Sequence, residues 1–565
     1  MTATASASAV PSARTGGSRQ LAGTGPLLRL ALRRDRIMIP VWVLVIGGSF
    51  MSVAQSFSAL YDTAAKRADV AQSMTTNGSL RALYGPVFSD SLGGLTTWRM
   101  VGFGAGFAAV MSLVIVVRHT REEEETGRQE MLSSAMVGRR APLTGALLAA
   151  LTANAALAAL ITAVVVAYAR TPEGSNGAAD GVTGSVASSG TGGGQLAGAL
   201  ALGLATAGVG MLFACTAAIA AQITENARLA KGMTAAVIGA AYVLKAAGDA
   251  SADDGSSVLT WLSPLGWAEN VRAFADERWW VLLILLASIA VQAVVAYTLA
   301  GRRDIGMSFL PARPGPAHGG LGTAGALAWR LQRGGLLGWG AGFLIAGTIF
   351  GSITDGAADL VGDNEQTRQI FERMGGQQGL TDSFLAAMTG MLGMVAALYV
   401  VSSVLRLYGE ETAGRAEPLL AGAVGRLRWA AGHLLIAFGG AALIMLLGGL
   451  GLFLGYGHDL PGILAASLVQ LPAIWVLGAL VVLLYGVLPR ASVAGWGLAG
   501  LALALGWIGP ALDLPRSLMN LSPFGHLPKL PGADMTWPPV LILTALAAAL
   551  VAAGLMGLRR RDMLT

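Results

Sequence analysis

The sequence predicts an all-α integral membrane protein with twelve transmembrane helices arranged as two parallel six-helix repeats, a pseudo-dimer. Three observations carry this expectation. Of 565 residues, 54% are hydrophobic and only 12% charged, with a mean hydropathy of +0.62, a balance foreign to soluble domains of this size. Apolar runs of about 20 residues, enough to cross ~30 Å of hydrocarbon as helix, recur along the whole length. Charged and turn-forming landmarks between those runs occur twice in the same order.

The runs fall near 37–57, 99–118, 143–169, 197–223, 231–249, 279–300, 335–354, 384–406, 428–455, 460–488, 491–511 and 538–558. No ten-residue alternating segments of the β-barrel kind interrupt them. Residues 1–25, rich in Ala, Ser, Thr and Gly and without an apolar core, read as a disordered tail and not a signal peptide. The single cysteine, Cys215, lies inside a run, which excludes an internal disulfide and suggests no thiolate metal site. The five histidines are scattered without ligand spacing, and no nucleophile–base pair is visible. No catalytic, cofactor or metal site is therefore expected.

Orientation follows from counting. An even number of spans puts both termini and the loops after spans 2, 4, 6, 8 and 10 on one side. That side holds 26 Lys and Arg against 10 opposite, with Arg170 and Lys245 in or beside spans. The bias places the termini in the cytoplasm of a bacterial plasma-membrane protein. Acidic residues divide 12 to 20 the other way. The net charge of +6 thus reflects topology and anionic lipid, not nucleic-acid binding.

The repeat is read from four landmarks. Arg33, Arg36 and Trp42 return as Arg330, Arg333 and Trp339, at an offset of 297. Arg121-Glu122-Glu123-Glu124-Glu125-Thr126-Gly127-Arg128-Gln129-Glu130-Met131-Leu132 returns as Tyr408-Gly409-Glu410-Glu411-Thr412-Ala413-Gly414-Arg415-Ala416-Glu417-Pro418-Leu419. Both copies run into Val-Gly-Arg (Val137 to Arg139, Val424 to Arg426) at an offset of 287. Leu-Ser-Pro-Leu-Gly at 262–266 matches Leu-Ser-Pro-Phe-Gly at 521–525, and Arg302-Arg303-Asp304 matches Arg560-Arg561-Asp562, at offsets of 259 and 258. The offset drifts only across exposed loops, 58–98 against 355–383 and 171–195 against 456–460, as a duplication of six-helix units requires. Expected boundaries are a tail at 1–25, a first repeat at 26–304, a Pro/Gly-rich linker at 305–326 and a second repeat at 327–565. Both repeats start and end on one side, so they are related by an axis along the membrane normal.

The Glu-rich segment lies between the second and third spans of each half. On a helix, Arg121 with Glu125 and Glu124 with Arg128 are four apart and able to pair. One reading is a solvated turn whose charges only mark the membrane interface. The other is a point where something outside the membrane pushes on it, which recurrence at one topological position favours.

The E-x-G-R-x-E-x-L pattern between the second and third of six spans resembles the ABC-2 type ABC transporter permeases. The doubled form, with L-S-P-[LF]-G before the sixth span and Arg-Arg-Asp after it, is similar to the "exporter of polyketide antibiotics" permeases, over nearly the whole chain. The resemblance implies that Glu123, Glu124, Gly127, Arg128 and Glu130 form a coupling helix contacting one ATP-binding subunit. It implies that Glu410, Glu411, Gly414, Arg415 and Glu417 contact a second copy. The second segment departs from the first in its shorter acidic run and in Pro418, which stands where Met131 stands. Proline is tolerated only in a helix's first turn or outside it, so this helix is expected to begin later or kink. No G-x-x-x-x-G-K-[ST] loop occurs. ATP and Mg are therefore expected on a partner chain, and this chain is not itself an ATPase.

Other features are weaker. Leu27 to Ile37, with arginines at 29, 33, 34 and 36, reads as an amphipathic surface helix or as simple positive-inside anchoring, with Leu327 to Leu337 as its counterpart. Segments 255–278 and 512–537 read as interfacial or re-entrant pieces, either aromatic anchors or lids. Lys245, four residues before Asp249, is expected to snorkel or pair locally. Asn154, Gln292 and Gln470 suit helix–helix hydrogen bonds, and glycines in spans suit close helix packing.

Nearly chargeless spans argue against a proton- or sodium-coupled carrier and suit an apolar pathway energised from the cytoplasm. The expected function is the permease of an ATP-driven exporter of hydrophobic or amphiphilic compounds, antibiotic-like or lipid. Its rivals are a 12-span major-facilitator carrier, whose loop after span 2 resembles G-x-x-x-D-R-x-G-R-R, and a non-transporting immunity or scaffold protein.

Overall fold

The structure, a computed structural model, describes residues 20–76, 78–133, 137–169, 192–252, 257–304, 306–310, 322–361, 380–511 and 515–563. Most of the expected tail, most of the linker at 305–326 and the loops at 171–195 and 355–383 lie largely outside those residues. The chain divides into two compact units, 1–314 and 315–565. Helix is the regular structure throughout, and no strand occurs among the described residues.

Unit 1 comprises α1 (Thr24–Arg34), α2 (Met38–Leu60), α3 (Ala64–Thr76), α4 (Gly78–Tyr84), α5 (Leu92–His119), α6 (Arg121–Glu125), α7 (Arg128–Ser133), α8 (Ala141–Ala169), α9 (Gly192–Ile223), α10 (Ala227–Ser251), α11 (Val258–Leu262), α12 (Pro264–Asn270) and α13 (Trp280–Arg302). Unit 2 comprises α14 (Ala324–Val361), α15 (Leu380–Thr412), α16 (Glu417–Leu420), α17 (Arg426–Tyr456), α18 (Leu460–Leu468), α19 (Leu471–Val487), α20 (Gly495–Ala511), α21 (Arg516–Met519) and α22 (Trp537–Arg560).

Among the described residues, eleven segments are long and apolar enough to cross a membrane, six in unit 1 and five in unit 2. The segment expected as a further span, 491–511, begins with a 3-10 turn at Pro489–Ala494, leaving the 17 residues of α20. Seventeen residues of α-helix reach about 26 Å, short of the ~30 Å hydrocarbon layer. The second and fourth spans form the interior of each unit. Of their most apolar stretches, 72% and 61% is buried in unit 1 and 72% of both in unit 2, against 17% for the sixth-span helices α13 and α22. Those last helices leave most of their surface exposed.

Small residues let the helices approach closely. In unit 2, Gly347 and Gly351 of α14 lie against Gly448, Gly451 and Gly455 of α17, backbone on backbone. Gly486 of α19 and Gly554 of α22 repeat the device. These are the small-xxx-small contacts that bilayers favour. Side-chain amides tie spans as expected. Asn154 donates to Ser112 Oγ at 2.8 Å, and Gln292 accepts from Thr216 Oγ1 at 2.8 Å.

The surface helix expected in both halves is a separate element only in unit 1. There the chain breaks at Asp35, whose buried carboxylate pairs with Arg118 Nη1 at 3.0 Å and His119 Nε2 at 2.6 Å. In unit 2, Gln332 stands at the offset position and bonds His433 Nδ1 at 2.9 Å and the Ser403 hydroxyl. A neutral amide is accommodated inside a continuous helix, and α14 runs straight through. Leu327 to Leu337 are its first turns.

The Ser-Pro landmark of unit 1 is a helix start. The Ser263 hydroxyl accepts from the Leu265 N–H at 3.2 Å and donates to Ala241 O at 2.6 Å, while Pro264 takes the first turn. Its copy forms only a 3-10 turn, Pro523–His526, and Ser522 makes no cap bond. Trp261 stacks on Trp280 at 5.5 Å, and Trp267 Nε1 donates to Trp261 O at 2.6 Å, while Trp280 and Trp537 stay exposed.

Two expectations are corrected here. Lys245 does not snorkel. It is buried and pairs with Asp249, as local pairing required, but also with Glu269 of α12. The interior of unit 1 is therefore not free of carboxylates.

Candidate functional site

In unit 1 the interior helix α5 ends at His119, and the chain turns through α6 and α7. Gly127 makes the bend between them at φ +70°, a conformation that glycine adopts freely. That bend separates Glu124 from Arg128, so their expected i,i+4 pair does not form, while Arg121 and Glu125 both lie before it. Arg121 pairs instead with Glu124, three residues on, and Arg128 Nε lies 3.6 Å from Glu123.

All four glutamates of the run turn back onto their own unit. Glu122 pairs with Lys231, and Glu123 with Arg34 at 2.5 Å. Glu124 is gripped by Arg303, with Nη2 at 2.5 Å and Nη1 at 2.8 Å. Glu125 Oε1 accepts the Ala227 N–H at 2.6 Å, satisfying an otherwise unpaired donor in the first turn of α10. Arg303 is itself held: its Nε donates to Gln222 at 2.6 Å, and Arg139 donates to its carbonyl at 2.7 Å.

Unit 2 builds the same bracket from the second copies. Helix α15 continues to Thr412, and Gly414 bends the chain at φ +68°. Glu411 receives both Arg561 guanidinium nitrogens at 2.7 Å. Arg426 donates to the Arg561 carbonyl at 2.6 Å. The Tyr485 hydroxyl also donates to Glu411, and the Arg561 guanidinium lies 4.9 Å from the Tyr485 ring centre. Burial opposes the Arg561 charge, but its bonds to Glu411 more than restore it and raise its pKa above the ordinary value. Glu410 pairs with Arg415 at 2.8 Å and Arg406 at 3.5 Å. Pro418 falls in the first turn of the short helix α16, the tolerated place for it.

Three landmarks far apart in sequence thus meet in each unit: the Glu-rich segment, the Val-Gly-Arg arginine and the middle arginine of Arg-Arg-Asp. Sequence reasoning singled out all three without joining them. It missed Arg34, Lys231, Gln222 and Tyr485 as supports, because the first two register only as positive-inside charges and the last two as polar residues at span ends.

The expected contact residues divide accordingly. Glu123, Glu124, Glu410 and Glu411 brace the turn from within, and three of them are classed as buried: Glu123, Glu410 and Glu411. Arg128, Glu130, Gly414, Arg415 and Glu417 are exposed, and Gly127 is partly so. Beside Glu130 stands Met131, 68% exposed, and the matching Pro418 is also exposed. What each unit offers outward is a short, stiffly held turn with mixed charges and one apolar residue. Among the described residues, no group of three or more His, Cys, Asp or Glu is placed to hold a metal ion.

Comparison with known proteins bears on this arrangement. Residues 321–559, inside unit 2, match the family model described as "Multidrug efflux system permease Rv1217c, C-terminal domain". The whole chain is similar to the multidrug efflux system permease protein Rv1217c of Mycobacterium tuberculosis (strain ATCC 25618 / H37Rv). The two are 42% identical over 550 residues, covering 96% of this chain and 95% of that protein.

Proposed function

Since the chain belongs to the family of the multidrug efflux system permease Rv1217c, we propose that it is the membrane permease of an ATP-driven drug exporter. It moves hydrophobic or amphiphilic compounds outward. It is of the ABC-2 type, in the doubled twelve-span form of the polyketide-antibiotic exporters, with its termini and both Glu-rich turns in the cytoplasm. Two copies of a separate ATP-binding subunit dock on those turns.

One observation carries this reading: the same three-part bracket stiffens the same turn in both units. A loop that only marks an interface needs no buried ion pair beneath it. A lever that transmits motion does, because a compliant turn dissipates displacement before it reaches the interior helices α5 and α15. The bracket ties the turn directly to the ends of α13 and α22 through Arg303 and Arg561.

The test separates docking from bracing. The full chain is co-expressed with its ATP-binding subunit, and outward charges are reversed in pairs: Arg128→Glu with Glu130→Arg, and Arg415→Glu with Glu417→Arg. Each pair is expected to weaken subunit association about tenfold or more, with drug efflux falling in parallel while the chain still melts cooperatively, because the lost pairs with Glu123 and Glu410 have an exposed arginine. Assembly and efflux that survive all four reversals would sink the proposal. Efflux lost on collapsing the proton gradient, with ATP held constant, would favour a secondary carrier. A chain that assembles but moves no drug would be an immunity or scaffold protein.

A further inference from the structure

A second charged assembly lies at the far end of α10, and the docking function does not use it. Lys245, Asp249 and Glu269 are 0%, 0% and 4% exposed. Lys245 Nζ lies 2.6 Å from Asp249 Oδ2 and 2.9 Å from Glu269 Oε2. Asp249 is well supplied, since the Thr260 hydroxyl donates to its Oδ1 at 2.9 Å. Glu269 is less so: the Lys245 ammonium is its ion-pair partner, and no hydroxyl or backbone N–H among the described residues donates to it. One ammonium faces two carboxylates, so the assembly carries one negative charge too many when all three are ionised. Burial makes such an excess costly.

The surroundings are built to seat Glu269. Gly85 holds φ +90°, and a Cβ there would fall on the Glu269 carboxylate. Trp98 Nε1 fixes that glycine by donating to its carbonyl at 2.7 Å. The carboxylate lines a small cavity with Phe88, Ser89, Thr97, Trp98 and Arg272. The backbone just after α12 takes left-handed φ at three non-glycine residues, Arg272, Phe274 and Asp276, so this wall is held under strain.

We propose that Glu269 is a proton-binding site, taking up one proton on its carboxylate to bring the Lys245–Asp249–Glu269 assembly to neutrality. The inference goes beyond the docking function and does not depend on it. No bond other than the O–H forms, and no further reactant is needed.

The neighbouring charges are few. Besides Lys245 and Asp249, α10 brings Tyr242. Helix α4 brings Arg81, whose Nε donates to Asp249 O at 2.9 Å, and Tyr84. Helix α5 brings Arg99, which lies over Tyr84 at 3.9 Å, and the turn after α12 brings Arg272, 4.4 Å over Phe88, followed by Asp276, Glu277 and Arg278. Helix α11 has no titratable residue, and those of α9 (Cys215) and α13 (Tyr297, Arg302) lie toward their far ends. Burial raises the Glu269 carboxyl above the ordinary carboxylate range, Lys245 opposes that, and Asp249 adds to it.

Helix α10 also links this proton to the braced turn. Its first residue, Ala227, is held by Glu125, and Lys231 by Glu122. Lys245 follows about 27 Å along the same helix. A displacement of the turn therefore moves the ammonium that faces Glu269, and withdrawing it strengthens proton binding.

The test uses the full chain in lipid nanodiscs, with neither partner nor drug, so its failure leaves the exporter reading standing. Acid-minus-alkaline infrared difference spectra should show a protonated-carboxyl band that titrates above the ordinary carboxylate range. Glu269→Gln should abolish it, and Glu130→Gln, on the exposed turn, should leave it. Lys245→Met should move its midpoint up by about one pH unit or more. Because the folded state binds this proton more tightly than the unfolded chain, its stabilising contribution is full below the ordinary carboxylate pKa and lost as pH rises through the raised one. The native chain should therefore melt higher in mild acid, and the melting of Glu269→Gln should lose that pH dependence, which also shows that it folds. A band that persists in Glu269→Gln, no band at all, or displacement by sodium at fixed pH would each overturn the proposal.

Discussion

Removing one side of the unit 2 bracket, by Glu411→Ala or Arg561→Ala, is expected to cost about 3–5 kcal/mol of stability. The Glu411 side chain is 1% exposed and that of Arg561 13%, so either truncation strands a charge away from water. The Glu411 carboxylate also accepts from Tyr485, so losing it strands that hydroxyl as well. Removing both charged partners should cost much less than the sum of the singles, because no lone charge remains. The exposed pair nearby behaves differently. Arg415 is 60% exposed, and Arg415→Ala should cost no more than about 1 kcal/mol. Melting of the full chain in nanodiscs, with the double variant closing the cycle, measures each value. Single variants within about 0.5 kcal/mol of the native chain would mean that the bracket does not hold the turn.

The spans were legible because a membrane helix advertises itself by length and apolarity alone. The landmarks were legible because they are short, charged and ordered. What those landmarks touch was not. Intrahelical pairing was the natural reading of Glu124 and Arg128, yet the left-handed Gly127 turns them apart and Glu124 finds Arg303 across the unit. Sequence spacing carries no record of such long-range partners. Glu269 was missed for a related reason. It sits in a segment too short to span, and only folding brings it under Lys245. At 491–511 hydropathy does not register that Pro489 starts a 3-10 turn, after which the helix runs over Gly495–Ala511.

The two units are alike in their brackets and unlike around them. Unit 1 carries the separate surface helix α1 and the buried Lys–Asp–Glu assembly. In unit 2, Gln332 sits within a continuous helix, and the Ser-Pro landmark forms a 3-10 turn where unit 1 has α12. The bracket recurs in both units, while among the described residues the Lys245–Asp249–Glu269 assembly stands in unit 1.

The glycine seam of unit 2 is the other point of large expected effect. Gly451→Leu should cost about 3 kcal/mol or more, the upper range for overpacking, because a Cβ at 451 would meet Leu344 O and the Thr348 N–H of α14. Backbone atoms cannot swing aside as a side chain does, so the helices must separate along the seam. Gly439→Leu, on the same helix α17 but facing open space, should be close to neutral and adds the same bulk as a control. The damage should also be directional. Helix α17 begins at Arg426, whose guanidinium holds the Arg561 carbonyl of the bracket. Pushing α17 away from α14 therefore loosens the turn of unit 2 and leaves that of unit 1 intact. On the proposed exporter reading, binding of the ATP-binding subunit should then fall from two copies per chain to one, read by mass measurement of the purified complex. Melting and stoichiometry that are the same for Gly451→Leu and Gly439→Leu would show that the seam neither packs nor transmits as described.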